Sequence, residues 1–210
     1  MKLEKMRNLV IGIIEDSSYS PDAISEKLSQ ALYYCTGIVD IPEFKRIFPI
    51  QTVVGQSYLY LNTQIDSFSG RVKRIKYDGN TLKIYSTLED MFDDYDDLEE
   101  TGDIEAAALE GRILWYTKVP ETATDLTVIC YINPEPLSIT NNELAWMPEH
   151  IQQSVLINGA VSYIFDEIEE EDGAKPMARH YESKMEDGIL DFRGWIAKNR
   201  QSRSYNYWSV

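Results

Sequence analysis

The chain has 210 residues, 43% of them hydrophobic and 11% aromatic, which suits one domain, or a core domain with one appended layer, and excludes a disordered chain. Its formal net charge of −15 repels phosphate and so argues against a sequence-reading nucleic-acid binder and against a peripheral protein of anionic membranes. The two cysteines, Cys35 and Cys130, stand far apart among apolar neighbours without metal spacing, and read as reduced, buried thiols.

The first elements read as two helices. Leu3, Met6, Val10, Ile13 and Ile14 recur at helical spacing. The apolar run from Asn8 to Ile14 is short and meets Glu15 and Asp16, so neither a secretory signal nor a membrane span is expected, and the expected site of synthesis is cytoplasm. Ser20 is the expected N-cap of the second helix, with Pro21 at its first position and Asp22 near its positive end. Ile24, Leu28, Ala31, Leu32 and Cys35 form its apolar stripe, and Gly37 is the expected stop. Pro42 and Pro49 mark an extended connection.

From Gln51 to Asn133 the period changes to two. Arg71 to Tyr77 and Thr81 to Ser86 flank Asp78-Gly79-Asn80, a strong hairpin signal. Ile113 to Val119 and Asp125 to Ile132 flank a loop carrying Pro120, and short connections predict antiparallel pairing throughout. Leu126, Val128, Cys130 and Ile132 alternate, so one face of that strand is expected to be buried. Between the hairpins lies Glu89 to Glu105, with ten acidic residues and no basic one, read as a solvated, mobile loop.

Pro148 opens a helix whose Ile151, Val155, Leu156, Gly159, Ala160, Tyr163, Ile164 and Ile168 are apolar over a wide arc, as in a central helix. A last helix starts near Pro176, with Met177, Tyr181 and Met185 four apart, and reaches toward Trp195 with Gly188 and Gly194 weakening it. The predicted organisation is α+β: a helical bundle of two N-terminal and two long C-terminal helices, with an inserted small antiparallel β module and an extended C-terminal tail. The boundaries are 1–48 and 137–198 for the bundle, 49–136 for the β module and 199–210 for the tail.

Catalytic patterns are absent from the sequence. The acidic run at Met91–Asp97 offers no register with the glycine of a calcium loop. The block Asp166 to Asp172 has no histidine beside it and reads as an exposed helix end. His150 follows Glu149 directly, and adjacent helical residues point apart. No nucleophile elbow, P-loop or dinucleotide fingerprint occurs. No cofactor, metal or enzymatic activity is expected, although 35 acidic residues leave a carboxylate-based glycan hydrolase as an alternative. The segment read as functional is the tail. Tyr205, Tyr207 and Trp208 are large aromatics outside any periodic element, preceded by Arg200 and Arg203, a composition typical of interface anchors that order on binding.

Taken together, these residues resemble the head-to-tail adaptor (connector) proteins of tailed bacteriophages, particularly short-tailed ones. The resemblance runs through Ile14 to Ile24, the Gly55-Gln56 strand pair of Thr52 to Leu61, the proline-punctuated strands of Leu114 to Pro120 and Leu126 to Pro136, and the final helix with Ala178, Tyr181 and Met185. Its most specific part is Met147-Pro148-Glu149-His150-Ile151 followed by Ile157-Asn158-Gly159-Ala160-Val161. Glu89 to Gly111 departs from the family pattern in length and acidity. The resemblance implies a virion structural protein at the portal vertex, assembled in host cytoplasm. It implies a ring, usually of twelve copies, beneath the portal protein, which extends the DNA channel and gives tail or nozzle proteins a platform. The C-terminal tail would lock onto the portal, and DNA would pass without specific binding. A different tail-completion subunit is the neighbouring reading.

Overall fold

The structure, a computed structural model, describes residues 1–16, 18–95, 98–168 and 174–205, the stretch 200–205 as backbone alone. The chain divides into two compact units: a helical one formed by Met1–Glu43 with Pro134–Val210, and a β unit, Phe44–Asn133.

In the helical unit, α1 (Leu3–Ile14) buries Leu3, Met6 and Val10, while Ile13 and Ile14 remain half-buried. Helix α2 (Pro21–Ile38) starts where the sequence predicts: the Ser20 hydroxyl accepts the Ala23 N–H at 3.1 Å. Its whole stripe, Ile24, Leu28, Ala31, Leu32 and Cys35, is fully buried. Gly37 lies inside the helix rather than ending it, and the Val39 N–H closes the last turn on the Cys35 carbonyl.

The central helical path is made of α5 (Glu149–Ile151), a π-helical stretch (Gln152–Ile157) and α6 (Asn158–Glu167). It buries Ile151, Val155, Leu156, Ile157, Ala160, Val161 and Ile164, and Gly159 lets it approach α2. A Cβ at Gly159 would stand 2.7 Å from the Ala31 Cβ. The buried Gln152 side chain donates to the Leu144 carbonyl at 2.9 Å and the Met147 carbonyl at 2.6 Å, fixing the preceding loop. Helix α7 (Ala174–Tyr205) has 32 residues, about 48 Å at 1.5 Å per residue. It buries Ala178, Met185, Ile189, Phe192 and Ile196. Gly188, read as a weakness, is where α7 meets the π-helical stretch, since a Cβ there would lie 2.7 Å from the Ser154 hydroxyl.

The β unit begins with β1 (Lys45–Gln51), β2 (Tyr58–Tyr60) and a single turn, α3 (Leu61–Gln64). Next come β3 (Phe68–Tyr77), β4 (Asn80–Thr81), β5 (Lys83–Tyr85) and α4 (Leu88–Asp94). It ends with β6 (Ala106–Glu110), β7 (Ile113–Tyr116) and β8 (Asp125–Ile132). These strands form two four-stranded sheets, ordered β1-β8-β3-β4 and β2-β7-β6-β5. The two sheets share one core. Ile50, Ile75, Tyr77, Leu126, Val128 and Cys130 of the first meet Leu59, Ala107, Leu114 and Tyr116 of the second.

The predicted fold class is corrected by this arrangement. A helical bundle with a small antiparallel module does not describe a mixed α+β chain that carries two full sheets, and β5 pairs with β6 in parallel. The Asp78-Gly79 turn forms as its sequence dictates, with positive φ at both residues (45° and 78°). The strand after it then leaves: β4 ends at Thr81, and β5 joins the other sheet. Nor do β7 and β8 form a hairpin across Pro120, because β7 pairs with β2 and β6 while β8 lies between β1 and β3. The strand that makes this possible, β6, opens with Ala106-Ala107-Ala108, all buried. Covered on both faces, it has no alternation by which to be seen. The acidic stretch is not wholly a loop either: α4 forms in it, capped by the Thr87 hydroxyl, which accepts the Asp90 N–H at 3.1 Å. The expected extended tail is likewise corrected at its start, because α7 runs on through residue 199 to Tyr205.

Candidate interaction surfaces

The titratable groups are dispersed. Among the described residues no cluster of three or more His, Cys, Asp or Glu side chains has the geometry to hold a metal ion. His150 is exposed, and its neighbour Glu149 is ion-paired with Lys5, whose ammonium holds that carboxyl below its ordinary range. His180 is exposed and stands edge-on to Tyr181, 5.3 Å between ring centres. Burial pushes the Cys35 thiol up to about 12 and the Cys130 thiol to about 11, so neither supplies a thiolate at neutral pH. No described helix is long and apolar enough to cross a membrane.

Of the predicted anchor residues, Arg200, Arg203 and Tyr205 lie on the last turns of α7, with the two arginines one turn apart. Tyr207 and Trp208 lie outside the described residues. The last buried residue described on α7 is Ile196, so the helix continues for more than two turns beyond it.

Further contact surface lies in the helical unit, at the loop between residues 134 and 148. The Asn141 side-chain amide donates to the carbonyls of Glu135 and Pro136 at 3.1 and 3.2 Å, and the Ser138 hydroxyl accepts the Asn141 N–H. That network holds Ile139 83% exposed at the tip. Beside it runs an open groove of about 600 Å³, lined by Arg7, Ser25, Ser29, Tyr33 and Leu137 among others. Tyr34 and Ile38 add exposed apolar surface on α2.

Two surfaces of the β unit escape the sequence reading. Strand alternation points Phe48 and Ile50 of β1 into the core and Lys45, Ile47 and Pro49 outward. On β3, Ile75 and Tyr77 face the core, so Arg74 and Lys76 face outward. Register places these on one surface: Ile47 and Arg74 flank Ile129, while Pro49 and Lys76 flank Thr127. Ile47 is 65% exposed. Nearby, the Arg71 guanidinium stacks 4.6 Å above the Tyr131 ring.

The outer face of the second sheet is covered by α4. Tyr85, Ala108 and Trp115 alternate away from the core and pack with Met91, Leu98 and Tyr95. The far side of α4 shows Glu89, Asp90 and Asp93 to solvent, with Phe92 44% exposed among them. Asp94 is held by Lys83 at 2.8 Å and by the Tyr85 hydroxyl, which together depress its carboxyl. Lys118 reaches Glu105 at 3.1 Å and Glu100 at 4.0 Å. A signal for this division was present in the sequence. Lys45 to Lys83 carries seven basic and two acidic residues, and the next segment carries the ten acids. The summed charge of −15 conceals it.

Compared with known proteins, the chain matches no family model. No curated protein sequence matches it significantly.

Proposed function

We propose that the chain is a virion structural protein without catalytic turnover: a head-to-tail adaptor of a tailed bacteriophage. Copies of it would form a ring beneath the portal, extend the DNA channel and present a platform to tail proteins. The observation that carries this reading is α7, which takes the basic and aromatic segment Arg200, Arg203 and Tyr205 past the last described core residue, Ile196. Such a segment suits docking on a partner, since Arg and Tyr are the residues that dominate interface energetics. The motif resemblance around Met147–Ile151 and Ile157–Val161 supplies the identity of the partner as the portal. The net charge of −15 agrees with a channel that must not hold the duplex it conducts. The free protein would be monomeric except at high concentration, with the portal acting as the template for the ring.

The test is to mix the full-length chain with the portal ring and weigh the product by native mass spectrometry, beside a chain truncated after Asn199. A discrete multi-copy complex that is weakened or lost on truncation supports both the adaptor and its anchor. Absence of any complex with either form overturns the reading.

A further inference from the structure

The β unit is polarised across its thickness. One outer face, on the first sheet, carries Lys45, Arg74 and Lys76 around Ile47 and Pro49, with one carboxylate, Asp125, held by Gln51 at its end. The opposite outer face, on α4 over the second sheet, carries Glu89, Asp90 and Asp93 beside Phe92. The shared core lies between them. Each face sets exposed apolar surface beside charge of one predominant sign, the two elements an interface combines. Their predominant charges are opposite, and each has an exposed apolar side chain, Ile47 on one and Phe92 on the other.

We infer that these two faces are the two halves of one contact between copies of this chain, the basic face of one β unit docking on the α4 face of the next. Pairing like with like would set three cations against three cations, or three carboxylates against three carboxylates, so a two-fold dimer through either face is disfavoured. The contact is therefore heterologous and propagates from copy to copy, as a ring requires. Its closure into a ring rests on the adaptor reading; the contact itself does not. A nucleic-acid backbone fits the basic face less well, because phosphate leaves Ile47 and Pro49 uncovered. Whole-chain repulsion does not prevent the contact. At about 0.15 M salt the Debye length is about 8 Å, so the net charges of two copies are screened between their centres while facing pairs still attract.

The experiment mixes ¹⁴N- and ¹⁵N-labelled full-length protein at high concentration in physiological salt with a zero-length carbodiimide, which joins a carboxylate to an amine only where they touch. Peptide mass spectrometry then reads amides between differently labelled copies. Mixed-label links from Lys45 or Lys76 to Glu89, Asp90 or Asp93 are expected. Across a single β unit such links are out of reach, because sheet packing alone separates the faces by about 10 Å. Two variants follow, K45E/R74E/K76E and E89K/D93K. E89K/D93K should lose links from Lys45 and Lys76 to Asp90 by about tenfold, equivalent to about 1.4 kcal/mol, and K45E/R74E/K76E, which keeps no amine of this contact, should lose association in sedimentation by a similar factor. An equal mixture of the two should regain association, because reversed face meets reversed face and native face meets native face. Recovered association, measured by sedimentation, also proves that both variants fold. If either variant fails to fold by near-ultraviolet circular dichroism, the wild-type link map decides alone.

Absence of mixed-label links at these positions overturns the contact, and so does association of folded variants at the wild-type level. Duplex DNA bound by the wild type and released by K45E/R74E/K76E, without mixed-label links, assigns the basic face to nucleic acid and also overturns it. A portal complex without the links removes the contact and leaves the adaptor. The links without a portal complex remove the adaptor and leave the contact.

Discussion

Gly159 and Met185 bring the central helical path and α7 so close that a Cβ on the glycine would lie 2.7 Å from the methionine sulfur. The same Cβ would meet the Ala31 Cβ at 2.7 Å, and an alanine side chain has no rotamer with which to yield. Gly159→Ala should therefore destabilise the helical unit by about 1–3 kcal/mol through overpacking. The better helix propensity of alanine returns about 1 kcal/mol of that. A urea melt with a lower midpoint and an unchanged slope is the expected outcome; an unchanged midpoint would show that α2 and α7 separate freely.

Gln152 is one of the few buried polar residues, and its side-chain amide serves two carbonyls of the 134–148 loop. Gln152→Met keeps the volume, strands the Met147 carbonyl and leaves the Leu144 carbonyl with the Met147 N–H alone. The expected cost is about 1–3 kcal/mol, that of leaving buried polar groups unpaired. Amide exchange should accelerate at Met147, whose N–H bonds to the Leu144 carbonyl.

Removing the hydroxyl of Ser20 leaves the Ala23 N–H without its cap acceptor. Ser20→Ala should lower stability by about 1 kcal/mol. Ser20→Thr should restore most of the loss in a thermal melt, which a mutation acting through side-chain volume would not show.

The buried thiols give stability a pH dependence of definite sign. Cys35 has its pKa raised by burial from 9.0 to about 12, so the native state holds its proton where the unfolded chain has released it. With fewer protons bound in the unfolded state, stability falls as pH rises above about 9 and continues to fall toward about 12. Cys130 acts in the same direction between 9.0 and about 11. Melting temperatures measured from pH 8 upward should decline through that window, and Cys35→Ser/Cys130→Ser should flatten the decline. At pH 8 a thiol reagent should label neither cysteine until denaturant is added.

The helices were largely legible in the sequence because their faces are one-sided. Ser20-Pro21 announces a start, and Ile24 to Cys35 shows a 3.6-residue stripe that is buried as read. Strand β8 was legible for the same reason, with Leu126, Val128 and Cys130 facing the core. Sheet membership was not, because alternation says which side of a strand is apolar and not which neighbour it pairs with. Thus the Asp78-Gly79 turn was foreseen, and the departure of β5 into the other sheet was not. The alanine strand β6 was hidden by burial on both sides and by the acidic run before it. At the surfaces, Arg200, Arg203 and Tyr205 stand out by composition, while the absence of apolar periodicity beyond Trp195 hides the helix that carries them. The two charged faces were missed because charge was summed over the chain before it was placed on strands.

The β unit is one unbroken stretch, Phe44 to Asn133, whereas the helical unit is closed by segments on either side of it. Helices α1 and α2 are synthesised before the chain that covers them exists. The stripe from Ile24 to Cys35 must wait for 122 further residues before its partners in α6 begin to emerge. At about 5–20 residues per second that interval lasts about 6–24 s. The sandwich has every strand it needs within that time and is able to complete itself first. In this chain the segment made second has all its partners, and is able to close its core, before the segment made first has any of its own from the far side of the β unit.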